Sequence, residues 1–350
     1  MVPNIVPAFA PASAPDTGAK PRGGPRAVAV RLAVSAALVA WLLRRTDFAE
    51  VGAAFRAADL RFVAVAVLLV PLGYLTSVCR WRLLLRAQGG DARLSFLLQS
   101  LMVGIFFNNL LPSTIGGDAV RAWDTARAGV NRATAVAVIV VDRFVGLLAL
   151  MLFAAAGLTL SGRIVAHVPA LSFWVWAGVA GMGLAAAVLF LPSRRAPALL
   201  ARLGAALPGR WGGLPAKVSA ALFAFQGQGS VLLRAFGWSL VMQSLVVINA
   251  WVLARALRVP IPLAGFFLIV PLALFLMMVP VSINGIGVRE NAYAFFFRAF
   301  GVAASLGVAV AWLDYGIILL QALAGGVVYA IFRARTAPVP RAARAREVAP

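Results

Sequence analysis

A chain of 350 residues that is 62% hydrophobic, only 12% charged and has a mean hydropathy of +0.93 falls outside the soluble globular class and reads as an all-α polytopic membrane protein. Its formal net charge of +21, from 32 Lys+Arg against 11 Asp+Glu, lies in segments between apolar runs, which points to topology signals and anionic lipid headgroups and away from nucleic acid. One cysteine, Cys79, and one histidine, His167 beside Pro169 in a short loop, leave no disulfide framework, metal cluster or Ser/His/Asp triad, so no metal, no cofactor and no catalytic residue is expected.

In chain order, residues 1–26 are rich in Pro and Ala with Lys20, Arg22 and Arg26, and are expected to form a disordered basic tail. The first membrane half is expected over 27–192. It opens with a span at about 27–43, which precedes Arg44-Arg45, lacks a small-residue cleavage site and so reads as an uncleaved anchor. A second span, at about 62–79, closes on Arg80-Trp81-Arg82, expected to anchor it at the headgroup level. The next segment, 96–111, is shorter than the roughly 20 apolar residues of a full crossing and carries Asn108 and Asn109 just before Pro112. After Gly116-Gly117-Asp118, a long span at 133–160 holds Asp142-Arg143 inside it, and 171–191 is a further span. Residues 193–233 alternate Arg194, Arg195, Arg202, Arg210 and Lys217 with leucines and phenylalanines, the pattern of an amphipathic connector lying on the membrane surface. The second half, 234–332, places spans at about 235–257 and 303–332 around an interrupted segment at 261–283 with Pro262, Pro271 and Pro280; 333–350 is a second basic tail.

Two stretches echo each other. Overlaid without a gap, Pro112 falls on Pro280, Ile115 on Ile283, Gly117 on Gly285, Val120 on Val288 and Arg121 on Arg289. Further on, Gly129 matches Gly301, and Asp142 and Asp314 stand equally far beyond those glycines. The order and spacing indicate an internal duplication, and breaks at corresponding positions of two membrane halves point to a transport site. Loop charge decides how the broken segments run. If both crossed, the basic connector would lie outside the cell. If both are re-entrant, the connector, the loops at 80–93 and 121–132 and both termini are cytoplasmic, and the least basic loop, 161–170, is outside. The expected architecture is therefore two inverted repeats, with about six full spans and two re-entrant broken helices among about eight hydrophobic segments. The loop at 44–61 is its weak point, lying outside with its arginines offset by Asp47, Glu50 and Asp59.

Re-entrant backbone must line a cavity or be buried in protein, because lipid cannot satisfy its amides. Gly116, Gly117, Gly285 and Gly287 permit the turns this needs and let a headgroup approach the backbone. Arg121 and Arg289 stand where planar forks could clamp a phosphate beside helix starts. Asp118, Asp142, Arg143, Glu290 and Asp314 are charges at or near membrane depth, where each needs a partner or water. Adjacent on one helix, Asp142 and Arg143 cannot face each other, so each is expected to find its partner elsewhere, in a salt bridge between repeats or on a substrate. Asn108, Asn109 and Asn284 fit either capping of the broken helices or binding of headgroup oxygens.

Taken together, the run from Asn108 through Gly116-Gly117-Asp118 to Arg121, the pair Asp142-Arg143, and the run Asn284-Gly285-Ile286-Gly287-Val288-Arg289-Glu290 resemble the flippase-like transmembrane domain of the lysylphosphatidylglycerol synthase family over about residues 30–332. The resemblance implies a multi-pass protein of the bacterial inner (cytoplasmic) membrane, related to the domain that moves aminoacylated phosphatidylglycerol between leaflets. Multidomain members carry a soluble aminoacyl-transferase domain after the membrane part; this sequence ends at residue 350, so no lysyl-lipid synthesis is expected of it. Some stand-alone relatives sit with polyprenyl or hopanoid lipid pathways. The preferred reading is a translocator of a phosphate-bearing lipid with membrane lipids as partners; the alternative is an integral-membrane enzyme acting on a lipid phosphate or a polyprenyl or hopanoid lipid. The absence of a paired-carboxylate, metal or nucleotide motif, and the duplication itself, favour the translocator. Oligomeric state is left open by the sequence.

Overall fold

The computed structural model describes residues 40–42, 44, 46–110, 116–160, 169–190, 223–278, 282 and 285–336. The N-terminal tail, most of the first span, the stretch at 111–115, the loop with His167, the connector at 193–222, Asn284 and the C-terminal residues 337–350 lie outside the described residues.

Every regular element among the described residues is a helix. The loop at 44–61 contains a short one, α1 (Phe48–Arg56), and its acids do more than offset arginines. Asp47 caps α1 by accepting from the N–H groups of Ala49 (2.9 Å) and Glu50 (3.1 Å), and Asp59 caps α2 (Leu60–Ala87) by accepting from Arg61 N–H at 2.9 Å. A carboxylate at this position satisfies amides that the first turn leaves orphaned and complements the helix dipole. Glu50 accepts from the hydroxyl of Ser305, which ties α1 to the start of the last helix.

The chain continues through α3 (Leu94–Leu110), α4 (Gly116–Arg127), α5 (Arg132–Leu160), α6 (Pro169–Phe190), α7 (Gly229–Ala256), α8 (Leu263–Met278), α9 (Val288–Ala299) and α10 (Ala304–Thr336). Among the described residues four helices are long and apolar enough to cross a membrane: α2, α5, α7 and α10. By contrast α3, of 17 residues, and α8, of 16, are too short for a comfortable crossing. Each is followed by a break and then by a helix of 12 residues, α4 or α9. The two halves thus share one plan of long helix, short helix, break, short polar helix and long helix.

Lipid-facing surface is legible in the exposure pattern. Val65, Leu68, Leu72 and Leu75 form one exposed stripe along α2, and Leu320, Leu323, Val327 and Ile331 form another along α10. Stripes of that kind at helical spacing fit an apolar solvent.

The halves meet reciprocally. Most extensively, α2 packs on α7, while α3 packs on α10 as α8 packs on α5. In a bilayer such contacts rest on van der Waals fit rather than on a hydrophobic drive, which favours small residues at crossings. Gly157 of α5 lies so close to the backbone of Phe267 and Leu268 in α8 that a Cβ would run into it, and Gly325 of α10 approaches the carbonyl of Met102 in α3 in the same way. The direction of the central pair is fixed at both ends. Asp59 N–H, at the start of α2, donates to Ala256 O at the end of α7 (2.9 Å), and Gln228 Nε2, at the start of α7, donates to Ala87 O at the end of α2 (3.2 Å). The two helices therefore run antiparallel.

Candidate functional site

In the first half, α3 and α4 form a tight pair about the break. Gly117 sits against Gly104, and Asn108 Oδ1 accepts from Gly117 N–H at 2.6 Å, capping the start of α4. Asn109 Nδ2 donates to Ile105 O at 2.9 Å, back onto its own helix. The second half uses different chemistry for the same job. Gly285 and Gly287 adopt φ of 74° and 82°, a conformation costly for other residues, and Glu290 Oε2 accepts from Gly287 N–H at 2.7 Å. With Asp118 in the first turn of α4 and Glu290 in that of α9, both helix starts already carry a protein carboxylate.

The charges near membrane depth sort into two clusters at corresponding places. In the first, Arg80 Nε lies 2.6 Å from Asp142 Oδ1 and Arg121 Nη2 lies 3.3 Å from Asp142 Oδ2. Arg121 Nη1 reaches Asp118 Oδ1 at 3.3 Å, and Arg143 Nε reaches Asp118 Oδ2 at 2.6 Å. Arg80 Nη1 also donates to Ser239 Oγ of α7 at 2.7 Å, and the Arg121 guanidinium stacks over the Trp81 ring at 4.2 Å. Asp142 and Arg143 do not pair with each other: Asp142 takes Arg80 and Arg121, and Arg143 takes Asp118, all within the first half, so these ion pairs do not form the bridge between repeats that the sequence suggested. The expectation that Arg80-Trp81-Arg82 anchors at the headgroup level is corrected: α2 continues to Ala87, Trp81 is wholly buried and Arg80 is 5% exposed. The buried carboxylate of Asp142 supplies the counter-charge that makes this burial tolerable. Of the triplet, Arg82 is the one that turns to a loop, pairing with Asp91 at 2.9 Å.

The second cluster is looser. Arg289 Nη1 stands 3.9 Å from Asp314 Oδ2, and its guanidinium lies 4.9 Å from the centre of the Tyr315 ring. That separation is too long for a hydrogen bond, so Nη1 is buried without a hydrogen-bond partner. The overlay made Arg289 the counterpart of Arg121 and Asp314 that of Asp142, and the contacts follow it: Arg121 meets Asp142, and Arg289 faces Asp314.

A cavity of about 230 Å³ opens beside this second pair, enclosed by α2, α7, α8, α9 and α10. Its walls are mostly aliphatic, including Leu69, Val246, Val270 and Ile317. Six polar side chains reach it: Arg289, Asp314, Tyr293, Tyr74, Gln321 and Asn249. Tyr74 donates to Gln321 Oε1, and Asn249 Oδ1 is buried without a hydrogen-bond partner. Of the residues singled out in the sequence, Arg289 and Asp314 line the cavity. Asp118, Arg121, Asp142 and Arg143 are brought together in the other cluster, whereas Asn108, Asn109, Gly116, Gly117, Gly285, Gly287 and Glu290 build the two breaks. Sequence reasoning missed Arg80, Tyr74, Asn249 and Gln321. The last three carried a usable signal, since each is a polar residue inside a long, mostly apolar helix.

A sequence model of the lysylphosphatidylglycerol synthase transmembrane region matches residues 28–326, which takes in both halves, both breaks and both clusters. The chain belongs to this family. Within the lysylphosphatidylglycerol synthase transmembrane family, one curated relative is a UPF0104 membrane protein from Pyrococcus horikoshii, 30% identical over 101 residues, covering 27% of this chain and 30% of the relative. No solved structure matches the chain at a significant level.

Proposed function

We propose that this protein translocates a phosphate-bearing lipid between the leaflets of a bacterial cytoplasmic membrane, with the cavity on Arg289 receiving the headgroup while the acyl chains remain in lipid. The observation that carries this reading is a mostly aliphatic cavity, lined in part by helices long and apolar enough to cross a membrane, whose only cationic lining residue among those described, Arg289, holds a buried nitrogen without a hydrogen-bond partner. A volume of about 230 Å³ lies below the roughly 300–1,000 Å³ of drug-sized ligand pockets. It suits a headgroup and not a whole lipid. Family membership supports a lipid role, and the antiparallel, reciprocally packed halves support an inverted repeat, the construction that gives alternating access about a fixed site. In this reading both termini are cytoplasmic and the first break enters from the cytoplasm, the second from outside.

The test is reconstitution into vesicles containing NBD-phosphatidylglycerol, with dithionite bleaching to read sidedness. The protein should raise the bleachable fraction above one leaflet's share with no change in lipid chemistry by mass spectrometry. Arg289→Ala should slow this at least about tenfold, the equivalent of one charge-assisted hydrogen bond of about 1.4 kcal/mol or more. Chemical conversion of the lipid without movement would replace this reading by the enzyme one.

A further inference from the structure

The polar lining of the cavity has a charge balance that constrains what can accompany the cargo. Among the described residues Arg289 is its one cation and Asp314 its one acid, so the empty cavity is formally neutral. Both charges depend on each other. They meet across 3.9 Å through the same Arg289 nitrogen, Nη1, that lacks a hydrogen bond. A phosphate oxygen that bonds Nη1 therefore arrives beside the Asp314 carboxylate and competes with it for one guanidinium. One guanidinium cannot neutralise two anions in a wall of aliphatic side chains with no second cation, and a carboxylate left without a counter-charge there is disfavoured against its neutral acid.

Among the described residues no other group relieves Asp314. From α9 it is faced by Arg289 and by Tyr293, a neutral phenol; across the cavity α2 presents Tyr74 and α7 presents Asn249. On its own helix, Tyr315 stacks with Arg289 and Gln321 is engaged with Tyr74. Helix α3, packed against α10, has no ionisable side chain along its length, and Glu50 of α1 is held by Ser305. The first-half counterpart behaves differently. There Asp142 keeps Arg80 at 2.6 Å in addition to Arg121, so it stays paired even if Arg121 is drawn away. Among the described residues the second half has no counterpart to Arg80 at Asp314, and that asymmetry singles out Asp314.

We infer that Asp314 is a proton carrier coupled to the cargo: when an anionic headgroup takes Arg289, Asp314 takes one proton from the aqueous phase, and it returns that proton when the headgroup leaves on the other side. The inference rests on the translocator reading. One lipid phosphate with charge −1 and one proton move together, so the step is electroneutral, the proton passing onto a carboxylate oxygen of Asp314 and off it again with no other bond made or broken. A zwitterionic headgroup such as phosphoethanolamine would place its ammonium against Asp314 and need no proton.

Vesicles loaded with the reconstituted full chain and NBD-phosphatidylglycerol test this, with the membrane potential clamped by potassium and valinomycin. Imposing a gradient of one pH unit should shift the leaflet ratio of the wild type by up to about tenfold toward the alkaline side. NBD-phosphatidylethanolamine should equilibrate without responding to the gradient. Asp314→Asn should lose the gradient-driven accumulation of NBD-phosphatidylglycerol at whatever rate it moves that lipid; because the wild-type measurement stands alone, a variant that fails to fold does not rescue the idea. Wild-type translocation of NBD-phosphatidylglycerol that ignores the pH gradient overturns the inference and leaves the translocator reading intact. Absence of movement for both lipids overturns both.

Discussion

At the scale of single residues, the ion-pair cluster of the first half shows how a membrane protein keeps two arginines, Arg80 and Arg121, in its interior beside one buried aspartate. Asp142 is 1% exposed and serves Arg80 and Arg121 at once, so it is the residue on which the others depend. Replacing it leaves Arg80 buried without a counter-charge. Removal of one member of a buried pair costs about 3–5 kcal/mol, so Asp142→Ala should lower the melting temperature in detergent far more than Arg82→Ala, whose partner Asp91 lies in a loop. Equal melting of the two variants would show that the cluster does not hold the fold. Glu290 makes a narrower prediction. Its carboxylate satisfies the buried N–H of Gly287, and an orphaned buried donor costs about 1–3 kcal/mol. Glu290→Gln keeps an oxygen acceptor and should melt close to the wild type, while Glu290→Ala should lose that increment. If Glu290→Gln melts normally yet abolishes translocation, the residue acts on cargo as well as on the helix start.

At the scale of elements, the crossings of long on short helices depend on glycine. A Cβ at Gly157 would meet the backbone of α8, and one at Gly325 the backbone of α3, so neither neighbour can yield by turning a side chain. Gly157→Ala and Gly325→Ala should each destabilise the protein in a detergent melt. Gly181 of α6 and Gly237 of α7 have open space where a Cβ would stand. There alanine should be neutral or stabilising by up to about 1 kcal/mol, the ordinary helix-propensity difference. Destabilisation at Gly181 and Gly237 equal to that at Gly157 and Gly325 would remove the close-approach argument. The helix starts after the breaks are built by unlike means, an asparagine cap in one half and positive-φ glycines with a glutamate in the other.

At the scale of the whole molecule, the antiparallel run of α2 against α7 is what the proposed inverted repeat requires. Two equivalent helices that pack on each other in opposite directions are related by an axis perpendicular to them, which for spanning helices lies in the membrane plane. Equivalent points of the two halves should then face opposite sides. With Cys79 replaced by Ser, cysteines introduced as Arg127→Cys at the end of α4 and Arg298→Cys near the end of α9 should label from opposite sides of the membrane, the second from outside and the first only after permeabilisation. Labelling of both from one side would be incompatible with inverted halves.

The membrane class, and an echo that sets Arg121 on Arg289 and Asp142 on Asp314, were legible in the sequence alone. Hydropathy, proline and glycine spacing and the registry of rare charges are one-dimensional signals that an apolar solvent enforces residue by residue. The helices at 48–56, 116–127 and 288–299 were not legible in the same way, being short and partly polar, with starts defined by side-chain caps. Tertiary structure alone decided which of two equivalent arginines faces a cavity. Arg121 is closed in by two aspartates and Trp81, whereas Arg289 meets one distant aspartate beside open space. A sequence overlay makes equivalent positions look alike. Arg80, which secures Asp142 but has no counterpart at Asp314, reaches its partner only through the packing of α2 on α5, a contact that no spacing along the chain encodes.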